Sequence, residues 1–223
     1  MTTRRRFLGS LVTTKLIVGV TGILLFAYLV LHIAGNLMIF LGRETFNTYS
    51  HALISNPLVV PVEIGLVVVF LIHLFKAIRM TFQNQSARPA KYAKKEMAGG
   101  TSQKTFASSS MILTGLGILI FVPIHVKTFK YGTYYEFGEG MRDLFRTEAE
   151  NFSSPLAVAF YVVMMVLVGL HLWHGVPSSF QSLGLNGPRF TPLIRKIGKV
   201  SAVVIAGGFI VITLWVFLVG GQS

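Results

Sequence analysis

The chain has 223 residues, of which 52% are hydrophobic and only 13% are charged, against about 25% charged in an average soluble domain. Basic residues outnumber acidic ones by 20 to 8, but the long apolar runs leave no soluble domain to carry a nucleic-acid-binding patch, so membrane topology explains the charge better. Cysteine is absent, which excludes disulfides, thiolate-held iron–sulfur clusters and covalent haem attachment in this chain.

The N-terminal segment TTRRRFLGS resembles a twin-arginine export signal. However, the apolar stretch 16–41 that follows is far longer than the roughly 7–15 residues of a signal-peptide core, and no small-residue cleavage site comes after it. We therefore interpret it as a retained first membrane helix.

Five segments reach the roughly 20 apolar residues that a helix needs to cross a bilayer. They are about 12–41, 58–82, 107–128, 154–178 and 198–219. We predict an all-α integral membrane protein, a single domain over residues 1–223 with no evident internal repeat. Before span four, EGMRDLFRTEAEN places Met141, Leu144 and Phe145 on one helical face, which predicts a short helix that lies along the membrane surface or only caps the bundle.

The distribution of charge orients the predicted spans. The N-terminal segment, the loops after spans two and four, and the adjoining helix ends hold 15 of the 20 basic residues. The opposite loops hold seven of the eight acidic residues. By the positive-inside rule the N-terminus is cytoplasmic and the C-terminus external. This orientation places Trp173 near the inner interface and Trp215 near the outer one.

Histidine is the unusual residue of the predicted spans. Four spans contain it, as His32, His73, His125 and, within GLHLWHG, both His171 and His174. Ionisable groups at membrane depth are costly and face a partner inside the bundle. An interhelical hydrogen bond explains one such residue, but histidine in four spans favours metal ligation, because neutral imidazole is a common metal ligand.

The depth of each histidine distinguishes two kinds of metal site. At a rise of about 1.5 Å per residue, His73 and His171 lie about 9 Å from the inner edge, and His32 and His125 lie about 25 Å from it. For His125 this depth requires span three to continue past Lys127. A zinc site needs about four converging ligands, whereas layers about 16 Å apart suit two stacked haems. Spans one to four then form a haem-binding bundle, with span five packed outside.

His174 lies only about 4–5 Å from the inner edge and projects about 60° away from His171 on the same helix. The two residues therefore cannot ligate one haem from opposite sides, and depth selects His171. Glycines provide either room for a flat porphyrin or ordinary close helix packing; they are Gly19, Gly22, Gly115, Gly117 and Gly169.

The segments LVLHIAGN, FLIHLFKAIR, IFVPIHV and GLHLWHG, with YSHALISNPLVVPVE in the first outer loop, resemble the di-haem cytochrome b subunit that anchors succinate dehydrogenases and fumarate reductases, the succinate:quinone oxidoreductases. The resemblance covers residues from about 10 to 219 and depends on the order and spacing of the histidines. It implies that His32 and His125 ligate a distal haem b, and that His73 and His171 ligate a proximal one.

The resemblance also implies the cellular setting and the partners. The chain would be a multi-pass subunit of a prokaryotic plasma membrane that carries electrons between a quinone, with menaquinone favoured, and a cytoplasmic iron–sulfur subunit. That subunit would dock on an FAD flavoprotein that handles succinate and fumarate. The basic inner loops suit such docking.

Further contacts with the cofactors are expected near the helix ends. Candidates to meet haem propionates are Lys76, Arg79 and His174 at the inner haem, and Lys127 and Lys130 at the outer one; each is equally explained as an interface residue. Quinone reduction needs protons, and the candidate quinone residues are Glu63 with His51 on the outer side or Trp173 with His174 on the inner side.

Two other functions stay open at this point. One is a di-haem cytochrome b anchor of a different quinone-linked dehydrogenase. The other is a haem-free transporter with a histidine proton relay, although such a protein would favour broken helices or inverted repeats.

Overall fold

The computed structural model describes residues 10–86, 106–138 and 140–220. In chain order its elements are α1 Leu11–Asn36, a 3₁₀ helix Leu37–Leu41, α2 Arg43–Ile54, α3 Val59–Ser86, α4 Phe106–Ser109, α5 Met111–Phe129, β1 Glu136–Phe137, β2 Met141–Arg142, α6 Leu144–Phe152, α7 Pro155–Ser182 and α8 Phe190–Val219. Five helices are long and apolar enough to cross a membrane: α1 with the 3₁₀ helix, α3, α5, α7 and α8. The predicted all-α membrane protein with five spans is confirmed.

Local signals set several helix ends. The hydroxyl of Ser10 accepts a hydrogen bond from the backbone N–H of Thr13 at 3.2 Å and caps α1, as serine commonly does at an N-cap. Gly42 adopts a φ of 96° between the 3₁₀ helix and α2, a conformation that favours glycine. The helix α5 continues to Phe129, so the third span does extend past Lys127. The fifth helix begins at Phe190, eight residues before the predicted start.

The helix α7 lies at the centre of the packing. It contacts α1, α5 and α8, while α1 also contacts α3 and α8. A Cβ atom built on Gly198 would lie 2.5 Å from the Pro177 ring, and one on Gly169 would lie 3.0 Å from Ala206 Cβ. Small residues therefore bring α7 and α8 into close contact, as is common between membrane helices.

A buried polar network joins α2 to α6. The carboxylate of Asp143 is fully buried and accepts hydrogen bonds from Arg43, from Asn47 Nδ2 at 2.7 Å and from the backbone N–H of Arg146 at 3.0 Å. Burial alone would raise the pKa of Asp143, but these hydrogen bonds hold it below its ordinary value. The network fixes the loops that cover one end of the bundle.

The short helix that the sequence predicts before span four is present but begins later than expected. Met141 belongs to β2, which pairs antiparallel with β1, and the helix α6 begins only at Leu144. Phe145 and Phe152 are buried in the core. Because both faces of α6 carry buried residues, it caps the bundle.

Candidate cofactor site: two pairs of histidines

Two of the predicted ligands face each other between α1 and α5. The imidazole rings of His32 and His125 are perpendicular, with their centroids 5.8 Å apart. Tyr28 stacks on His32 at 5.3 Å, and Phe209 of α8 lies 5.4 Å from the same ring. The fifth helix, which packs against α7 and α1, therefore contributes to the surroundings of this pair.

The separation of this pair suits two imidazoles on opposite sides of one metal ion. With metal–nitrogen bonds of about 2.0–2.1 Å and about 1 Å from each nitrogen to its ring centre, the two centroids would lie about 6 Å apart. Among the described residues, Nδ1 of His125 is buried without a hydrogen-bond partner, and such an atom needs an explanation. A donor set of two neutral imidazoles fits a haem, which supplies its remaining ligands itself.

Threonines of neighbouring helices hold the second pair of histidines. Nδ1 of His73 on α3 lies 3.0 Å from Oγ1 of Thr21 on α1. Nδ1 of His171 on α7 lies 3.2 Å from Oγ1 of Thr114 on α5. Each ring thus has its Nδ1 within hydrogen-bond distance of a threonine hydroxyl group on a neighbouring helix.

Thr21 and Thr114 were not predicted as site residues, although the sequence contains a signal for them. The segments TGILLFAYLVLH, 21–32, and TGLGILIFVPIH, 114–125, share the pattern Thr-Gly, nine residues, His. The segments HLFK, 73–76, and HLWH, 171–174, share a histidine, a leucine, an aromatic residue and a basic residue or histidine. The helix pairs α1 with α3 and α5 with α7 therefore share a short repeated pattern of threonine, glycine and histidine, which the sequence analysis did not consider.

The glycines divide between the two roles considered for them. A Cβ atom on Gly22 would lie 3.4 Å from Cε1 of His73, and one on Gly115 would lie 3.7 Å from Cε1 of His171. These two glycines leave room beside the imidazoles. The other three face residues of neighbouring helices, with Ser179 against Gly19, Leu167 against Gly117 and Ala206 against Gly169.

The repeat also relates the candidate contacts near the second pair. Lys76 and His174 each follow a predicted ligand by three residues, and both are half-buried. Arg79 lies one turn further along α3 and is exposed. The ammonium group of Lys199 lies over the ring of Trp173, 5.5 Å from the ring centroid. A cation of α8 therefore occupies one face of this predicted quinone residue.

At the other end of the bundle, Lys127 lines a cavity of about 600 Å³. Thr128, Tyr131, Tyr135, Glu150 and Asn151 are among its other lining residues. Glu63 of α3 forms an ion pair with Lys130, just after α5, while His51 lies exposed on α2. A predicted quinone residue is thus paired with a predicted propionate residue.

The short helix α6 contains a buried carboxyl group that was not singled out in the sequence. Glu148 on α6 is only 8% exposed, and burial raises its pKa to about 8. It lies within electrostatic range of Tyr161, whose ring centroid is 6.1 Å from that of His125. The amphipathic pattern of α6 indicated a cap, and nothing in it distinguished Glu148 from its exposed acidic neighbours.

Replacing Glu148 with glutamine should make the folded chain less sensitive to alkaline pH. The ordinary pKa of 4.5 applies to the unfolded chain, and burial raises it to about 8 in the folded one. The folded state therefore binds more protons between these values, and the free energy of unfolding falls as pH rises from about 4.5 to about 8. Melting temperatures of the two proteins in detergent should differ least near pH 5, with the variant higher above about pH 8. A difference that does not change with pH would contradict this expectation.

The fold and the site define a multi-pass helical membrane protein. His32 and His125 face each other across two of its helices, and His73 and His171 each contact a threonine of a neighbouring helix. Comparison of the chain with protein-family models, with curated proteins and with solved structures finds no match. Of the basic inner loops, to which we assigned subunit docking, the segment 87–105 lies outside the described residues.

Proposed function

We propose that this chain is the di-haem cytochrome b anchor of a succinate:quinone oxidoreductase. The observation that carries the proposal is the pair His32 and His125, whose rings lie 5.8 Å apart across two helices, together with the second pair, His73 and His171. The imidazoles of these four histidines would supply the two protein ligands that each of two b haems needs.

The ligands would divide between the two haems as the sequence predicts. His32 and His125 would hold the distal haem, and His73 and His171 the proximal one. A haem with two axial imidazoles supplies one-electron transfer and has no open position for oxygen. The chain's own part would be to hold the rings, exclude water and set the electrostatic surroundings. Phe121 and Tyr161, buried beside His125, and the buried Thr21 and Thr114 are suited to this.

Propionate groups at the proximal haem would meet Lys76 and His174, because both are half-buried and occupy equivalent places in the repeat. Arg79 is the more exposed alternative. At the distal haem, Lys127 is the better candidate, since Lys130 already pairs with Glu63.

Quinone chemistry requires a proton carrier near one haem. On the outer side we propose Glu63, whose ion pair with Lys130 would have to open or share a proton, with His51 nearby in the chain. On the inner side the candidates are Trp173 and His174. The assignment to menaquinone and to a prokaryotic plasma membrane belongs to the same proposal, as do the iron–sulfur and FAD subunits on the cytoplasmic side.

A difference spectrum of the purified chain tests this function. Reduced-minus-oxidised spectra should show the α band of low-spin haem b, with two haems for each chain. Co-purification with a flavin- and iron–sulfur-containing pair that oxidises succinate would separate this anchor from that of another dehydrogenase. A chain that folds in membranes without haem would instead favour a transporter and overturn the proposal.

A further inference from the structure

We propose that Thr21 and Thr114 are positioning residues that fix the tautomer of His73 and His171, so that each ring presents an unprotonated Nε2 to the haem iron. The inference rests on the proposed function, because it concerns the ligands of the proximal haem. It assigns a role to residues of the two helices that supply no ligand to that haem.

The direction of the threonine hydroxyl groups decides the tautomer. Oγ1 of Thr21 donates to the backbone carbonyl of Ile17 at 2.7 Å, and Oγ1 of Thr114 donates to that of Ser110 at 3.1 Å. A hydroxyl group has one proton and two acceptor positions. With its proton directed to a carbonyl of its own helix, the oxygen is available to accept from the histidine.

The acceptor role of the oxygen places the proton of each ring on Nδ1. Nδ1–H of His73 donates to Thr21 at 3.0 Å, and Nδ1–H of His171 donates to Thr114 at 3.2 Å. A neutral imidazole protonated on one nitrogen carries its free lone pair on the other. Both rings are therefore set with Nε2 as the available ligand atom.

Burial makes this choice of tautomer persistent. Thr21 is 6% exposed and Thr114 is 1% exposed, so water has little access to replace either hydroxyl as the acceptor. Next to each threonine stands a glycine, Gly22 or Gly115, and a Cβ atom there would lie 3.4 or 3.7 Å from Cε1 of the same ring. The dipeptide thus supplies an acceptor for Nδ1 and lets the helix backbone approach the imidazole.

An ordinary interhelical hydrogen bond would also stabilise the bundle. The test must therefore distinguish the effect of the Thr–His hydrogen bond on the iron-ligating histidine from its effect on the stability of the fold. A partner that accepts from the outer nitrogen of a ligating imidazole increases the basicity of the ligand. A more basic axial ligand favours ferric iron and lowers the midpoint potential of the haem. A bond that only joined two helices would leave that potential unchanged.

The test uses Thr21→Val and Thr114→Val in the assembled complex, with Thr21→Ser and Thr114→Ser as matched controls that keep the hydroxyl. In potentiometric titrations, each valine variant should raise the midpoint potential of the haem held by His73 and His171 and leave the other haem unchanged. Transfer of that haem to apomyoglobin should accelerate about 10–100-fold, the usual cost of losing such a partner. The serine variants should behave like the original chain.

Unchanged potentials in the valine variants, with only a lower melting temperature, would overturn the inference and leave a stabilising bond. If the unaltered chain contains no haem, the proposed function would instead be wrong. A second measurement then still tests the tautomer: ¹⁵N spectra of histidine-labelled full chain in bilayers. Thr21→Val should shift one imidazole from Nδ1–H to Nε2–H, and an unshifted spectrum would contradict the role of Thr21.

Discussion

Replacing His171 with alanine will remove one of two haem b signals, whereas His174→Ala will leave both. In our proposal His171 is a ligand whose Nδ1 lies 3.2 Å from Oγ1 of Thr114, so that Nε2 would bind the iron. His174 lies one turn further on and occupies the place of Lys76 in the repeat. Haem content of the purified complex, determined by pyridine haemochrome and by the reduced-minus-oxidised α band, measures the outcome.

His174→Ala is the matched control, because it removes an imidazole from the same helix at similar depth. If His174 contacts a propionate, its variant should shift the proximal midpoint potential while haem content stays at two for each chain. Loss of a haem from His174→Ala with retention in His171→Ala would reverse the assignment. Loss of both haems from His171→Ala would show that the two sites assemble together.

The five spans could be predicted because the cost of leaving backbone polar groups in lipid makes long apolar helices almost obligatory. Apolar length alone gave four of the five spans within a few residues. It missed the start of α8, because Arg195, Lys196 and Lys199 interrupt the apolar pattern there. The helix continues through these charged residues, beyond the hydrophobic stretch. Hydrophobic composition alone does not show where such a helix begins.

The pairing of histidines also follows from the sequence, since rise per residue converts position into depth. The structure places His32 against His125, as depth indicated. The depth of a residue in the membrane does not show in which direction its side chain points around the helix. The contacts of Thr21 and Thr114 with histidines could therefore be identified only from the packing of neighbouring helices. Their hydrogen bonds join residues 52 and 57 positions apart in the chain.

The repeat explains why part of this information was nevertheless present in the sequence. Thr21 precedes His32, and Thr114 precedes His125, by the same eleven residues, which is three helical turns and keeps both side chains on one face. Each of these helices thus supports the ligand of one layer and supplies the ligand of the other. The pattern is difficult to recognise because matching positions are not evenly separated. The two threonines are 93 residues apart, whereas His73 and His171 are 98 residues apart.

His32→Ala and His125→Ala should lose the same haem, and the double variant should lose no more than either one. The two rings lie 5.8 Å apart and serve one metal ion in our proposal, so removing either imidazole already leaves a five-coordinate site. Effects of residues that act as a unit are strongly non-additive. Potentiometric titration of the α band should show that the distal component is missing in all three variants and that the proximal one is retained.

Two further variants test whether the loss of haem is specific to this pair of histidines. His73→Ala combined with His125→Ala should lose both haems, because the two residues belong to different pairs. His51→Ala removes an exposed imidazole from α2 and should retain both. If His32→Ala and His125→Ala instead removed different components, the pairing across α1 and α5 would be wrong. The contact of their rings would then be only a packing contact, and each histidine would have to pair with a ligand from α3 or α7.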